Sequence, residues 1–281
     1  MLEKAITGLK RLFWLHNNPE PSMPWLTEWS SYLTKTVTFY RVLSAEDKKL
    51  FEQRVQLFWQ TTAIEGGVEV EITDEDRLLV ATSAIIPVWA FRGWHYVNLQ
   101  AVFLLPGLFN NDFECGRADS YISGMVGTGP MSGKMALSKP HLHLGFNNDK
   151  DRHNVGIHEF VHLVDMEDGA CDGFPERLKE FSYSIHWLDF IGHKISEIER
   201  SESNIRDYGA TNEAEFFAVA SEYFFEDPKL LKTKHPELFR ALEDIYQQDV
   251  SAIAADIKPR KKAPCYCGSG KRYKHCCMPQ D

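Results

Sequence analysis

Residues 155–165 read VGIHEFVHLVD: two histidines four positions apart, a glutamate directly after the first, and mostly apolar side chains around them. On a helix, positions i and i+4 share a face about one turn apart, so His158 and His162 can present both imidazoles to one ion. Glu159 points about 100° round the axis from His158, which keeps it off the ion and near a water held there. A zinc ion in such a place lowers the pKa of its water to about 7 and polarises a carbonyl. Glu159 is then placed to take a proton from that water and return it to a leaving amine. The competing interpretation is a core helix. Ile157, Phe160, Val161, Leu163 and Val164 predict burial, where two imidazoles and a carboxylate carry a desolvation cost unless they serve a purpose. Asp165, about a turn beyond His162, is either a carboxylate that orients the ligand from behind or a solvated helix end.

Zinc needs a third protein ligand and leaves a fourth position for water. A third histidine six residues after the second is excluded, because Asp168 stands there. The better source is YGATNEAEFFAVASEYFFEDP, residues 208–228, a second apolar helix with Glu213, Glu215 and Glu222. Glu213 and Glu215 are about 200° apart, so they do not both face the ion. Glu215 and Glu222 share a face. Asn212 followed three residues later by Glu215 is also a capping-box spacing, which gives Glu215 a purely structural alternative. Glu222 is the weaker ligand candidate, or a carboxylate that supports one.

Working outward, 281 residues with 43% hydrophobic and 12% aromatic content suffice for one large globular domain plus a small appendage. No run of eighteen apolar residues exists, and the opening MLEKAITGLKRLFWLHNNPEPS lacks the sustained apolar core and cleavage site of a signal peptide. The expected location is cytoplasmic, with no membrane partner. Net charge is −9, but Lys258, Arg260, Lys261, Lys262, Lys271, Arg272 and Lys274 against Asp281 give residues 258–281 a charge of +6, leaving −15 on the remainder. An acidic body argues against a nucleic-acid substrate, whereas the basic tail suits an acidic protein or RNA, or is a solvated linker.

Residues 1–40 read as irregular or short helical packing segments. Residues 44–62 are helical, with Ser44 as cap and Leu50, Val55, Leu57 and Phe58 as the apolar stripe. VEVEI, residues 68–72, alternates like a strand. ITDEDRLLVATSAIIPVWAF predicts a buried helix capped at Thr73 or Asp74. VNLQAVFLLPG (97–107) and KMALS (134–138) are further strand candidates. Helices are expected at 153–166, about 175–200, 212–226 and 236–249, so the class is α+β. TGPMSGKM, residues 128–135, is not a phosphate loop: its first glycine would fall on Thr128, and Met135 stands where a hydroxyl must meet magnesium. His141 and His143 share a face if extended, as a second metal pair or as a solvated loop.

KPRKKAP, residues 258–264, is a linker by composition. After it, CYCGSGKRYKHCC carries Cys265, Cys267, Cys276 and Cys277, four thiolates able to close a tetrahedral structural zinc site, with His275 as an alternative donor. In a reducing compartment this favours metal over disulfides. Cys115 and Cys171 are isolated and read as ordinary free thiols.

HEFVHLVD followed by YGATNEAEFFAVASEYFFEDP resembles the zinc peptidases of the Mlc titration factor type, glutamate-zincins related to the catalytic domain of anthrax lethal factor. EITDEDRLLVATSAIIPVW and FLLPGLF extend the resemblance over about residues 40–250. It implies a zincin-like peptidase domain at 41–257 behind a packing segment at 1–40, with His158, His162 and Glu215 as zinc ligands, Glu159 as general base and Tyr208 as the phenol that stabilises an oxyanion or donates a proton. It also implies a peptide or protein substrate, or a transcriptional repressor held as a partner. Val219 departs from lethal factor, which has a glutamate four residues after its third ligand. In such peptidases a strand beside the active helix binds substrate by backbone pairing, and KMALS is the candidate. The tail resembles the SEC-C motif of the bacterial preprotein translocase ATPase. That implies a zinc knuckle at 265–281 for protein or ribosome contact, and so two zinc ions, one catalytic and one structural.

Overall fold

The computed structural model describes residues 23–127, 131–147, 152–175, 184–250 and 253. The linker at 258–264 and the four tail cysteines Cys265, Cys267, Cys276 and Cys277 lie outside the described residues, as does most of the 1–40 segment. From residue 27 the chain enters two short helices, α1 (Thr27–Thr36) and α2 (Thr38–Val42), whose Trp29, Leu33, Phe39 and Tyr40 are buried. Helix α3 (Ala45–Thr61) starts where Ser44 accepts the Asp47 N–H at 3.1 Å, and it buries Leu50, Phe51, Val55, Leu57 and Phe58.

Strand β1 (Ala63–Gly66) follows, displaced from the expected strand at 68–72. The reason is the Gly66–Gly67 corner. The Val70 N–H donates to Gly67 O at 3.1 Å, and a Cβ on Gly66 would lie 2.0 Å from Val70 O, so the chain folds away from the sheet and leaves Val68 exposed. Helix α4 (Asp74–Ile85) opens with a capping box between Thr73 and Asp76. It is apolar almost all round and buried, and it stops short of Pro87, which has no N–H to continue the ladder.

The sheet contains β2 (Ala101–Leu105), β3 (Gly124–Val126) and β4 (Lys134–Ser138) in the order β1-β2-β4-β3. β1, β2 and β4 are parallel, with Ile64 beside Val102 and Val102 beside Met135; β3 runs antiparallel to β4, with Met125 beside Ala136. KMALS is therefore an interior strand with both edges paired, and it is not the strand that can take a substrate. The edge on that side belongs to β3.

Helices α5 (Lys139–Asn147), α6 (Val155–Asp165), α7 (Ser184–Glu199), α8 (Glu213–Glu226), α9 (Pro228–Lys234) and α10 (Pro236–Tyr246) complete the fold. The architecture is a mixed α+β one. α6 packs between α4 and α8, and against β3. A Cβ on Gly156 would lie 2.2 Å from Ser83 Oγ, so only glycine permits the α4–α6 approach. Around Tyr246 the core is aromatic: Phe217 and Phe224 stack on its ring and Phe225 lies tilted against it, while its hydroxyl donates to Ser221 Oγ at 2.7 Å. No described helix is long and apolar enough to cross a membrane.

His141 and His143 do not form an extended pair. They lie on α5, where His141 Nδ1 meets Ser138 Oγ at 2.8 Å and His143 Nε2 meets the buried Asp76 at 2.6 Å. Each ring is engaged with the fold rather than with its neighbour.

Candidate active site

Helix α6 begins where Asn154 Oδ1 accepts the Ile157 N–H, and it carries the His158 and His162 rings toward α8. Helix α8 begins in the same way, with Asn212 Oδ1 accepting the Glu215 N–H at 2.9 Å. Only that half of the expected capping box forms. The Glu215 carboxylate turns away from Asn212 and points at the two imidazoles. His158 Nε2 lies 3.1 Å from His162 Nε2 and 3.0 Å from Glu215 Oε2, and His162 Nε2 lies 3.5 Å from the same oxygen. Donors at the corners of a tetrahedron around an ion with bonds of about 2.0–2.1 Å stand about 3.3 Å apart. The observed triangle has that size, and these three residues are the metal-competent cluster among the described residues.

His158 is held from behind. His158 Nδ1 meets Glu222 Oε1 at 2.8 Å, and Arg206 Nη2 donates to the same oxygen. The other oxygen of Glu222 accepts the backbone N–H of Asn154 at 2.5 Å. Glu222 is fully buried and lies outside the donor triangle, as a support rather than a ligand. Burial disfavours the His158 imidazolium, but its hydrogen bonds to the Glu215 and Glu222 carboxylates outweigh it and push its pKa up to about 10. Burial likewise opposes ionisation of Glu215, yet its hydrogen bonds to His158 and His162 hold the carboxyl well below the usual carboxylate range.

Glu159 is buried beside the triangle, and burial raises its pKa above the ordinary value while His158 and His162 oppose the shift. It sits against β3 so closely that a Cβ on Gly124 would lie 2.5 Å from Glu159 Oε1. Tyr208, on a 3-10 turn (Asp207–Ala210), has its ring 5.9 Å from that of His158 and is half exposed. Burial first, then the charge of Glu215 and a hydrogen bond to it, push the phenol up to about 12, so the hydroxyl stays protonated as a donor. All five face a cleft of about 720 Å³, walled by Ile122, Met125 and Val126 on one side and Leu188 and Ala214 on another.

Asp165 is neither a solvated helix end nor a direct partner of His162. It is fully buried, and its Oδ2 accepts the Gly173 N–H at 2.8 Å. Burial, its largest influence, raises its pKa to about 6. Gly173 adopts φ +73°, where a Cβ would come within 2.4 Å of Glu213 O, and its carbonyl accepts from Trp187 Nε1 at 2.9 Å. These bonds tie the loop after α6 to the end of α6 and to α7, and the loop lies close against the start of α8.

Gly124, Arg206 and Cys171 were not singled out by sequence as parts of the site. Arg206 and Gly124 reach it only through tertiary contacts, and neither belongs to a recognisable local pattern. Cys171, read as an ordinary thiol, lies 3.6 Å from His162 Nδ1.

Comparison with known proteins first gives the class, that of metallopeptidases. The chain belongs to the glucose-regulated metallo-peptidase M90 family, whose profile matches residues 13–247, and it carries a SEC-C motif at residues 262–279. It is 30% identical over 229 residues to the uncharacterized protein slr2042 of Synechocystis sp., covering 78% of this chain and 82% of that one. It is 29% identical over 267 residues to Mlc titration factor A of Serratia proteamaculans (89% and 98% covered), and 25% identical over 250 residues to that of Pectobacterium atrosepticum (84% and 91% covered). The chain is thus of the Mlc titration factor type with a C-terminal SEC-C motif.

Proposed function

We propose that the protein is a zinc-dependent peptidase with a zincin-like domain at residues 41–257, in which His158, His162 and Glu215 hold the catalytic ion. The observation that carries this reading is the triangle of donor atoms 3.0, 3.1 and 3.5 Å apart. Zinc suits a set of two imidazoles and one carboxylate. On this set it would supply Lewis acidity for a scissile carbonyl and an acidified attacking water.

The chain's own residues do the rest. Glu159 takes the proton from the water as it attacks and delivers it to the amine as the C–N bond breaks, so no covalent enzyme intermediate forms. The Tyr208 hydroxyl donates a hydrogen bond to the oxygen on which negative charge develops. Glu222, braced by Arg206 and the Asn154 N–H, keeps His158 in orientation. The outer side of β3 meets no other strand among the described residues, so an extended peptide can pair with it beside Glu159.

In the tail, Cys265, Cys267, Cys276 and Cys277 bind a second, structural zinc ion. The resulting knuckle, joined by the 258–264 linker, recruits a protein or ribosomal partner. The match to the SEC-C profile supports this assignment.

A second reading comes from the relatives' name: a factor that titrates Mlc suggests capture of a transcriptional repressor, with hydrolysis secondary. One variant separates the two. Glu159→Gln keeps the donor triangle intact, so it abolishes peptide hydrolysis under the first reading and leaves the biological effect untouched under the second. Retained hydrolysis by a zinc-loaded Glu159→Gln chain would overturn the catalytic assignment.

A further inference from the structure

The two imidazoles of the proposed metal centre are backed by different chemistry. His158 Nδ1 faces the Glu222 carboxylate. His162 Nδ1, on the side of its ring away from Glu215, faces Cys171 Sγ at 3.6 Å. Cys171 stands in the loop between α6 and α7 that the Asp165–Gly173 hydrogen bond fastens down, and it is exposed at the cleft wall.

A thiol has one weak donor and one weak acceptor. Here both have counterparts. The sulfur can accept from His162 Nδ1–H, and the S–H can turn to Asp165. That aspartate is fully buried, spends Oδ2 on Gly173, and has no hydrogen-bond partner for Oδ1 among the described residues. The Asp165 carboxylate neighbours the thiol, within reach of its S–H.

We propose that Cys171 is a positioning residue of the metal centre: its sulfur accepts the Nδ1–H of His162, fixing that ring's tautomer and tilt with Nε2 toward the ion, while Asp165 holds the thiol in place. The proposal rests on His162 being a metal ligand. It makes this loop cysteine the counterpart of Glu222, with a softer and weaker hydrogen bond. A lone pair at Nε2 follows from a proton kept at Nδ1.

The test is zinc affinity of the full chain, measured by competition with a chromophoric chelator after metal removal and reloading. The zinc to follow is the one that Glu215→Ala removes, which separates it from zinc bound by the tail. Cys171→Ala is expected to weaken that zinc by about tenfold or more. Cys171→Ser, whose hydroxyl can also accept from the imidazole and donate to Asp165, is expected to recover most of the loss. Wild-type affinity in Cys171→Ala, or a Cys171→Ser chain as weak as the alanine variant, overturns the positioning role while leaving the metal centre standing. If Glu215→Ala loses no zinc, the metal centre and the positioning role fall together.

Discussion

Glu222 Oε1 lies 2.8 Å from His158 Nδ1, seven residues along α8 from Glu215. Seven residues return a helix to nearly the same face, so one helix face supplies both the proposed ligand and the carboxylate that steadies the neighbouring ligand.

Removing Glu222 should therefore be felt twice. Glu222→Ala leaves Arg206 and the Asn154 N–H without their shared acceptor, which should cost about 3 kcal/mol of folding stability in urea denaturation. It should also weaken zinc by about 10–100-fold. A variant with unchanged affinity would mean that His158 needs no support.

Ligation and capping at the start of α8 can be separated. Glu215→Ala should lose one zinc per chain by elemental analysis, since a donor is removed. Asn212→Ala should keep its zinc and lose about 1 kcal/mol, because only the acceptor for the Glu215 N–H is gone. If Glu215→Ala keeps its full metal content, Glu215 is a capping residue only.

The raised pKa of His158 makes metal-free stability depend on pH. Its folded value of about 10 lies above the ordinary imidazole value of 6.5, so the favourable term is fully present below about pH 6.5 and is lost as pH rises toward 10. Metal-free protein should accordingly become easier to denature between pH 7 and 10. On the proposed metal centre, zinc would also displace that proton at pH 7. Calorimetry in buffers of different ionisation enthalpy should register about one proton released, and none released would contradict the protonated state.

Gly124→Ala should lower turnover without removing zinc. The new methyl group would come within 2.5 Å of Glu159 Oε1 and displace the carboxylate, and general-base catalysis is worth about 10²–10⁴ in rate. Metal content and peptide hydrolysis, measured on the same preparation, decide it. Full activity would show that Glu159 tolerates the shift.

The helices around the site were legible because their patterns are local. The i, i+4 spacing of His158 and His162, the Thr73 cap and the burial of α8 all lie within a few turns of chain. The sheet was harder. β3 has three residues, too few for any alternation to register, and the order that puts β4 inside and β3 outside depends on pairings between distant segments. VEVEI has the right alternation, but the Gly66–Gly67 corner overrides it. Asp165 and Cys171 owe their placement to the loop that brings Gly173 back onto Glu213, a contact with no periodic signature.

The separation of the site's parts along the chain also orders its assembly in time. During synthesis His158 and His162 emerge well before Glu215, which lies 57 residues beyond His158, and Glu222 follows. Until α8 has been made and docked, the two imidazoles offer an ion only a partial cage, and nothing holds His158 in register. On the proposed metal centre, loading would thus be a late event, available only to a chain that has folded around its second helix, and a stalled or truncated product would end without the third ligand.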